Sequence, residues 1–346
     1  MRMLAATVAL LALPGCTSIG YYAQAVSGHL EVMWLARPIE DRLKDTVTPE
    51  ALRARLARAI AIRDFASREL ALPDNGSYRG YADIGRRFVV WNVFAAPEFS
   101  VEPVQSCFVF AGCVSYRGYY AEDAARKAAA SFADRGYDVY VGGVPAYSTL
   151  GWFDDPVLST FINYPEPELA RLLFHELAHQ VAYVKDDTVF NESFATAVEE
   201  EGVRRWLERE GAPAQRAAYS ESRRRRSELI ALFVEYRSRL ERFYGRPASL
   251  EEKREGKRLL LAQMEEEYRT LKASWAGFSG YDRLFAGGAN NALLASVASY
   301  SERVPAFRAL LARKQGDLAA FYSAVRDLGK LAKPERDARL TRLGAS

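Results

Sequence analysis

Two textures of hydrophobic and polar positions divide the chain. Between residues 86 and 151, valine, tyrosine and phenylalanine crowd between glycines and prolines in "RRFVVWNVFAA", "SCFVFAGCVSYRGYY" and "YDVYVGGVPAYSTLG". These stretches predict strands. Between the second and third, "AEDAARKAAASFADRG" predicts a helix ending at Gly136. Elsewhere the spacing is helical. "TPEALRARLARAIAIRDFASREL" places Thr48 as N-cap and Pro49 at the first helical position, with Leu52, Leu56, Ala59, Ile60 and Ile62 along its length. From Pro165 onward helix follows helix. One runs near 214–244, "GRPAS" breaks it, and the Ser249/Glu252 capping box opens another reaching about 274. The two predict a long antiparallel hairpin. "FSGYDRLFAGGANN" is a loop, and the C-terminal part is helical again. The fold class is α+β, a small mixed sheet in a mostly helical body. Without repeats or Pro/Ser-rich linkers, residues 16–346 read as one domain, with its sheet at about 80–160 and its helical part at about 165–346.

Composition narrows the function classes. Of 346 residues, 49% are hydrophobic and 26% charged, enough for a sizeable core. Lysine and arginine total 47 against 44 acids, a formal charge of +3, which argues against a nucleic-acid partner. The basic run Arg223–Arg226 reads as a solvated helix face. At the N-terminus, Arg2 precedes an apolar run from Leu4 to Leu13, then Pro14-Gly15-Cys16. That run is shorter than the roughly 20 residues of a spanning helix and fits a secretory signal over residues 1–15. "LPGC" resembles the bacterial lipobox, which implies lipidation of Cys16 and a membrane tether. Thr17 instead of aspartate after it points to the outer membrane of the cell envelope, facing the periplasm. In that oxidising setting Cys107 and Cys113 are expected to form a disulfide; a tight hairpin turning at Ala111-Gly112 would instead offset them as free thiols.

The chemistry concentrates in "EPELARLLFHELAHQVAYV". His175 and His179 lie one helical turn apart on one face, so both imidazoles can bind one zinc ion. Glu176, about 100° round the helix, can reach a water without occupying the metal and suits a general base. A catalytic zinc takes three protein ligands and keeps one position open. Only His29 lies outside the motif, so the third ligand is expected to be a carboxylate. "DDTVFNESFATAVEEEG" follows after a short turn, with Asn191 as a helix N-cap and Glu192 in the first turn. Packed antiparallel, this helix brings Glu192 to the metal and places Glu199 to accept the free N–H of a ligating imidazole. Asp186 and Asp187 are rival ligands, and Glu200 and Glu201 read as solvated.

"HELAHQ" followed by "NESFATAVE" resembles the gluzincin metallopeptidases, most of all the aminopeptidases among them. The resemblance implies a zincin-like fold, Zn2+ held by His175, His179 and Glu192, Glu176 as base, and a peptide substrate. Ser193 stands where that group has glycine, the interval from His179 to Glu192 is 13 residues and shorter than theirs, and no G-x-M-E-N amine-binding motif occurs. With the lipobox, the cysteine pair and "GGVPAYSTLGWFDDP", nearly the full chain resembles the family of bacterial lipoprotein aminopeptidases.

On the substrate side, Val144 to Leu150 form an edge strand suited to pairing with an extended peptide, with Val144, Ala146 and Tyr147 as contacts. Asn290 and Asn291 either cap a helix or bind peptide backbone; Asn291 is taken as a substrate contact. The oxyanion donor is expected to be a tyrosine, Tyr300 ahead of Tyr281. Two other readings remain open at this point. One is a non-catalytic envelope lipoprotein whose metal is structural or absent; the other is an endopeptidase acting on envelope proteins.

Overall fold

The element order follows the switch between the two textures. The computed structural model describes residues 16–108, 112–298 and 303–344; the signal segment 1–15 and Tyr300 lie outside them. Helix α1 (Cys16–Leu35) leads into β1 (Arg37–Pro38), α2 (Ile39–Lys44) and α3 (Glu50–Leu70). Strands β2 (Gly80–Ala82), β3 (Val90–Ala96), β4 (Ser106–Phe108), β5 (Gly112–Val114) and β6 (Arg117–Tyr119) follow. Helix α4 (Glu122–Ala133) precedes β7 (Asp138–Val144) and β8 (Val157–Leu158). The helical part comprises α5 (Glu166–Val181), α6 (Thr188–Glu210), α7 (Pro213–Tyr244), α8 (Leu250–Ser274), a 3₁₀ turn at Asp282–Leu284, α9 (Asn291–Ala298), α10 (Val304–Arg313), α11 (Leu318–Gly329) and α12 (Lys333–Gly344). The protein is thus α+β and mostly helical.

Period-two alternation covers both faces of the antiparallel sheet β6-β3-β7. Val93, Val139 and Val141 turn to one face, where they pack with Ala125 and Ala129 of α4. Phe94, Ala96 and Tyr140 turn to the other, against Ala292 of α9. A second, mixed sheet β1-β2-β8 borders the helical core, with β2 antiparallel to β1 and parallel to β8. In the hairpin β4–β5, Cys107 stands directly opposite Cys113 and the two are disulfide-bonded, so the offset alternative does not hold.

The largest core joins α3, α5, α6, α10 and α11 through Phe65, Leu70, Phe174, Leu177, Phe194, Trp206, Phe307 and Phe321. Close approach of α5 and α6 depends on Gly202, where a Cβ would sit 2.6 Å from the Phe174 ring. Helices α7 and α8 form the expected antiparallel hairpin. Trp275 Nε1 donates to Glu228 Oε2 and Tyr236 Oη to Glu267 Oε1, and the Ser249/Glu252 capping box is formed.

Two helix starts differ from the sequence reading by a few residues. Pro49, not Thr48, occupies the N-cap position of α3, because its extended backbone (φ −55°, ψ 139°) precedes the first helical residue; Thr48 Oγ1 caps nothing. Helix α6 begins at Thr188 with Asp187 as its N-cap, accepting from the Phe190 amide. Asn191 instead binds Val184 twice, accepting from its amide at 2.7 Å and donating to its carbonyl at 2.8 Å, and so fixes the turn between α5 and α6.

Candidate metal centre and cleft

Helix α5 is apolar on the sides facing α3 and α6, with Leu169, Leu173, Phe174, Leu177 and Ala178 buried, and its polar triplet rides on the remaining stripe. His175, His179 and Glu192 are all buried, and their ligating atoms lie within 4.8 Å of one another. His175 Nε2 is 3.2 Å from Glu192 Oε2, and His179 Nε2 is 3.9 Å from Glu192 Oε1. The other nitrogen of His175, Nδ1, is 2.8 Å from Glu199 Oε2. The imidazole is thereby held with Nε2 turned to the cluster.

Two arginines finish this arrangement. Arg171 and Arg226 each donate to Glu199, at 3.1 Å, one to either carboxylate oxygen. Burial alone would raise the Glu199 pKa, but these guanidiniums and His175 hold it well below the ordinary carboxylate range. Burial alone would likewise lower His175, yet its hydrogen bonds to Glu192 and Glu199 raise it to about 10. His179 has no such carboxylate bond, and burial lowers it to about 4. Burial also pushes Glu176 up to about 7, with the Glu192 charge adding to the effect and His175 opposing it.

The residues fit a metal ion. Two imidazole nitrogens and a carboxylate oxygen converge, the donor set of a catalytic zinc site. Two further observations agree. His179 Nδ1 is buried without a hydrogen-bond partner among the described residues, and the half-buried Glu176 and the buried Glu192 bring two carboxyl groups to one place. A divalent cation would compensate such charge; in its absence a protonated His175 does so. Three ligand groups converge among the described residues. The rival acids are placed elsewhere. Asp187 caps α6 and pairs with Arg336 at 2.7 Å, and Asp186 accepts from the Cys113 amide.

A cleft of about 650 Å³ opens over the cluster, a size that encloses small ligands. His175, Glu176, His179, Glu192, Arg171 and Arg226 form one side. The opposite side carries Tyr116, Tyr120, the run from Gly143 to Ser148, and Tyr21 and Tyr22 of α1, with Tyr183 beside α5. Val144, Ala146 and Tyr147 line the cleft, but the expected edge strand over Val144–Leu150 does not form: β7 ends at Val144 and the residues after it run as a loop. Their free backbone groups are fewer than a bare strand would offer. Val144, Pro145 and Tyr147 already accept, through their carbonyls, from Val89 N–H, Thr160 Oγ1 and Tyr78 Oη. Asn290 donates to the Val139 carbonyl, so Val139 and alternate residues after it turn their polar groups away from β3. Gly143 and Ala146 are thus left to meet an extended chain.

Other expected site residues stand apart. Asn291 is fully buried, takes an N–H···O bond to Asp138, donates to the Pro97 and Glu98 carbonyls and accepts from Tyr244 Oη. Those bonds saturate it as a brace between α9, β7 and α7, away from the cleft. Tyr281 packs on Trp275 and Phe278. Arg226, read from sequence as part of a solvated run, reaches the buried Glu199, whereas Arg224 pairs at the surface with Glu221 and Glu228. Its signal was weak: it is one of four consecutive arginines, and only the path of α7 selects it. Glu200 and Glu201 pair with surface arginines as expected.

Helix α1 seals the far side. Gln24 donates to the Gly118 carbonyl at 3.3 Å and accepts from the Tyr120 amide at 3.1 Å, standing in for a neighbouring strand along β6. His29 Nδ1 lies 2.8 Å from Tyr147 Oη.

Fold and site together define a mostly helical α+β protein with a candidate metal centre at the floor of a cleft. Residues 20–340 match the family Aminopep, described as "Putative aminopeptidase", and the chain belongs to that family. No curated protein and no solved structure matches it.

Proposed function

We propose that the protein is a zinc-dependent peptidase of the bacterial cell envelope, tethered through a lipid on Cys16 and placed at the outer membrane facing the periplasm. The observation that carries the catalytic part is the convergence of His175, His179 and Glu192 beside a half-buried Glu176 whose pKa is raised. Zinc there would supply Lewis acidity, polarising the scissile carbonyl and acidifying water. Glu176, poised near neutrality, takes a proton from the attacking water and passes it to the leaving amine. Glu199 holds His175 in the ligating orientation, and Arg171 and Arg226 hold Glu199. Gly143 and Ala146 align the substrate backbone. For the oxyanion donor, Tyr116 is favoured over Tyr281, Tyr300 lying outside the described residues: Tyr116 lines the cleft, and burial first, then the charges of Glu192 and Glu176, keep its phenol protonated.

The test measures metal content and cleavage of a peptide library by the wild type and by Glu176→Gln. Equal metal in both, with cleavage lost in the variant, is the expected result. Full activity of Glu176→Gln would sink the mechanism.

Family membership favours an aminopeptidase. One observation favours an endopeptidase: the carboxylates lining the cleft are Glu176 and Glu192, leaving none to hold a free amine. Cleavage of N-acetylated peptides as fast as of free ones would select the endopeptidase.

A further inference from the structure

Helix α1 is apolar on two opposite faces. The inner face packs through Tyr21, Gln24, Gly28 and Val32, and Gly28 comes so near Tyr120 that a Cβ would meet its ring at 2.2 Å. The outer face exposes Tyr22, Val26, Leu30 and Trp34, one per turn, over a length of about 18 Å. Trp34 is 73% exposed and Val26 and Leu30 more than half. Helices of soluble proteins place charge on such a face. Here the helix has a single carboxylate, Glu31, and Arg86 pairs with it. The apolar surface continues sideways. Phe153 packs on His29 of α1, with ring centroids 4.6 Å apart, and next to it Trp152 is 79% exposed.

We propose that this face lies flat on a phospholipid bilayer, with Tyr22, Val26, Leu30, Trp34, Trp152 and Phe153 at the level where headgroups meet acyl chains. Two observations select lipid over a second protein. Aliphatic side chains flanked by two tryptophans and a tyrosine match the composition of membrane interfaces. On the proposed function, the lipid on Cys16 of this same helix would bring the face to a bilayer. Docking is separate from the lipid proposed on Cys16 and adds what a tether cannot, a fixed orientation. Tyr22 belongs both to the stripe and to the wall of the metal cleft. The cleft therefore opens beside the bilayer, towards chain segments within reach of the membrane surface.

The test uses the full chain, expressed with its own signal and reconstituted into phosphatidylcholine vesicles with or without brominated acyl chains. Trp206 and Trp275 are buried and Trp91 is half-buried in the sheet, so the quenching that the double variant loses reports on Trp34 and Trp152. We expect clear quenching in the wild type and a severalfold smaller effect in the Trp34→Phe/Trp152→Phe double variant. Val26→Glu/Leu30→Glu, which changes only exposed positions, should reduce quenching of the retained tryptophans while thermal unfolding and co-flotation through the lipid persist. Wild-type protein that floats with the vesicles but shows no bromine quenching would overturn the proposal and leave a bare tether. A dimer cross-linked through position 30, with no quenching, would overturn it in favour of a second copy. Mass spectrometry of Cys16 reports the lipid independently, and quenching in a chain without that lipid would still support docking.

Discussion

The two walls of the cleft are built by opposite means. The helical wall is local and charged: α5 supplies Arg171, His175, Glu176 and His179 within three turns, and α6 adds Glu192 and Glu199. A chain of hydrogen bonds runs from Arg226 and Arg171 through the buried Glu199 to His175 and Glu192. The opposite wall is assembled from afar. Tyr21, Tyr116, Tyr120 and Tyr147 arrive from α1, the stretch between β5 and β6, the end of β6 and the loop after β7. The first wall concentrates charge in a place of low dielectric; the second supplies shape, a few hydroxyls and open backbone. The difference teaches that chemistry and recognition here have separate structural origins, so each can be damaged alone.

Substitutions can sharpen or break this division. The largest effect is expected on the helical wall: Glu176→Gln should lower kcat/KM by roughly 10²–10⁴-fold at unchanged metal content, read by steady-state kinetics and metal analysis. Tyr116→Phe, across the cleft, should lower kcat by about 10²-fold with KM little changed. An unaltered kcat there would return the whole reaction to the helical wall. Glu199→Gln should loosen the metal by roughly 10- to 100-fold. It should also cost roughly 1–3 kcal/mol of stability, measurable by denaturant unfolding, because Arg171 loses its buried counter-charge and keeps only the pair with Glu168; Arg226 is partly exposed and contributes less.

The pH dependence of metal uptake is a gentler probe. Without metal, His175 is protonated below about 10, whereas His179 is neutral above about 4. A ligating imidazole must be neutral, so uptake near pH 8 should release about one proton, and affinity should rise about tenfold per pH unit until about pH 10. Calorimetry in buffers of different ionisation heat reads the proton count; a count of zero would mean that the Glu192–Glu199 clamp does not charge His175. The smallest effect is expected from Tyr147→Phe, which removes the hydroxyl's bonds to His29 and Tyr120: about 1 kcal/mol in thermal unfolding, with near-normal turnover.

How far the sequence reveals each wall follows from the same contrast. Helical spacing within a few turns fixes which side chains share a face, so His175, His179, Glu192 and Glu199 could be brought together on paper, and Cys107 and Cys113 sit only six residues apart. Arg226, Tyr21, Tyr116 and Tyr120 could not. Their positions depend on how long helices cross and how strands are ordered, and no periodicity within a segment encodes that. Asn291 shows the converse error. An amide at a loop-to-helix junction has the same local pattern whether it meets solvent, substrate or, as here, four groups of the fold.

Gln24 gives the central sheet a direction. Its amide copies a peptide group against β6, and Asn290 covers the start of β7, so under the proposed function a substrate strand would be steered to the far end of β7, beside Gly143 and Ala146 of the cleft. The same two amides occupy edge positions that another copy of the chain would need for sheet extension. One device would thus govern both who may join the sheet and where.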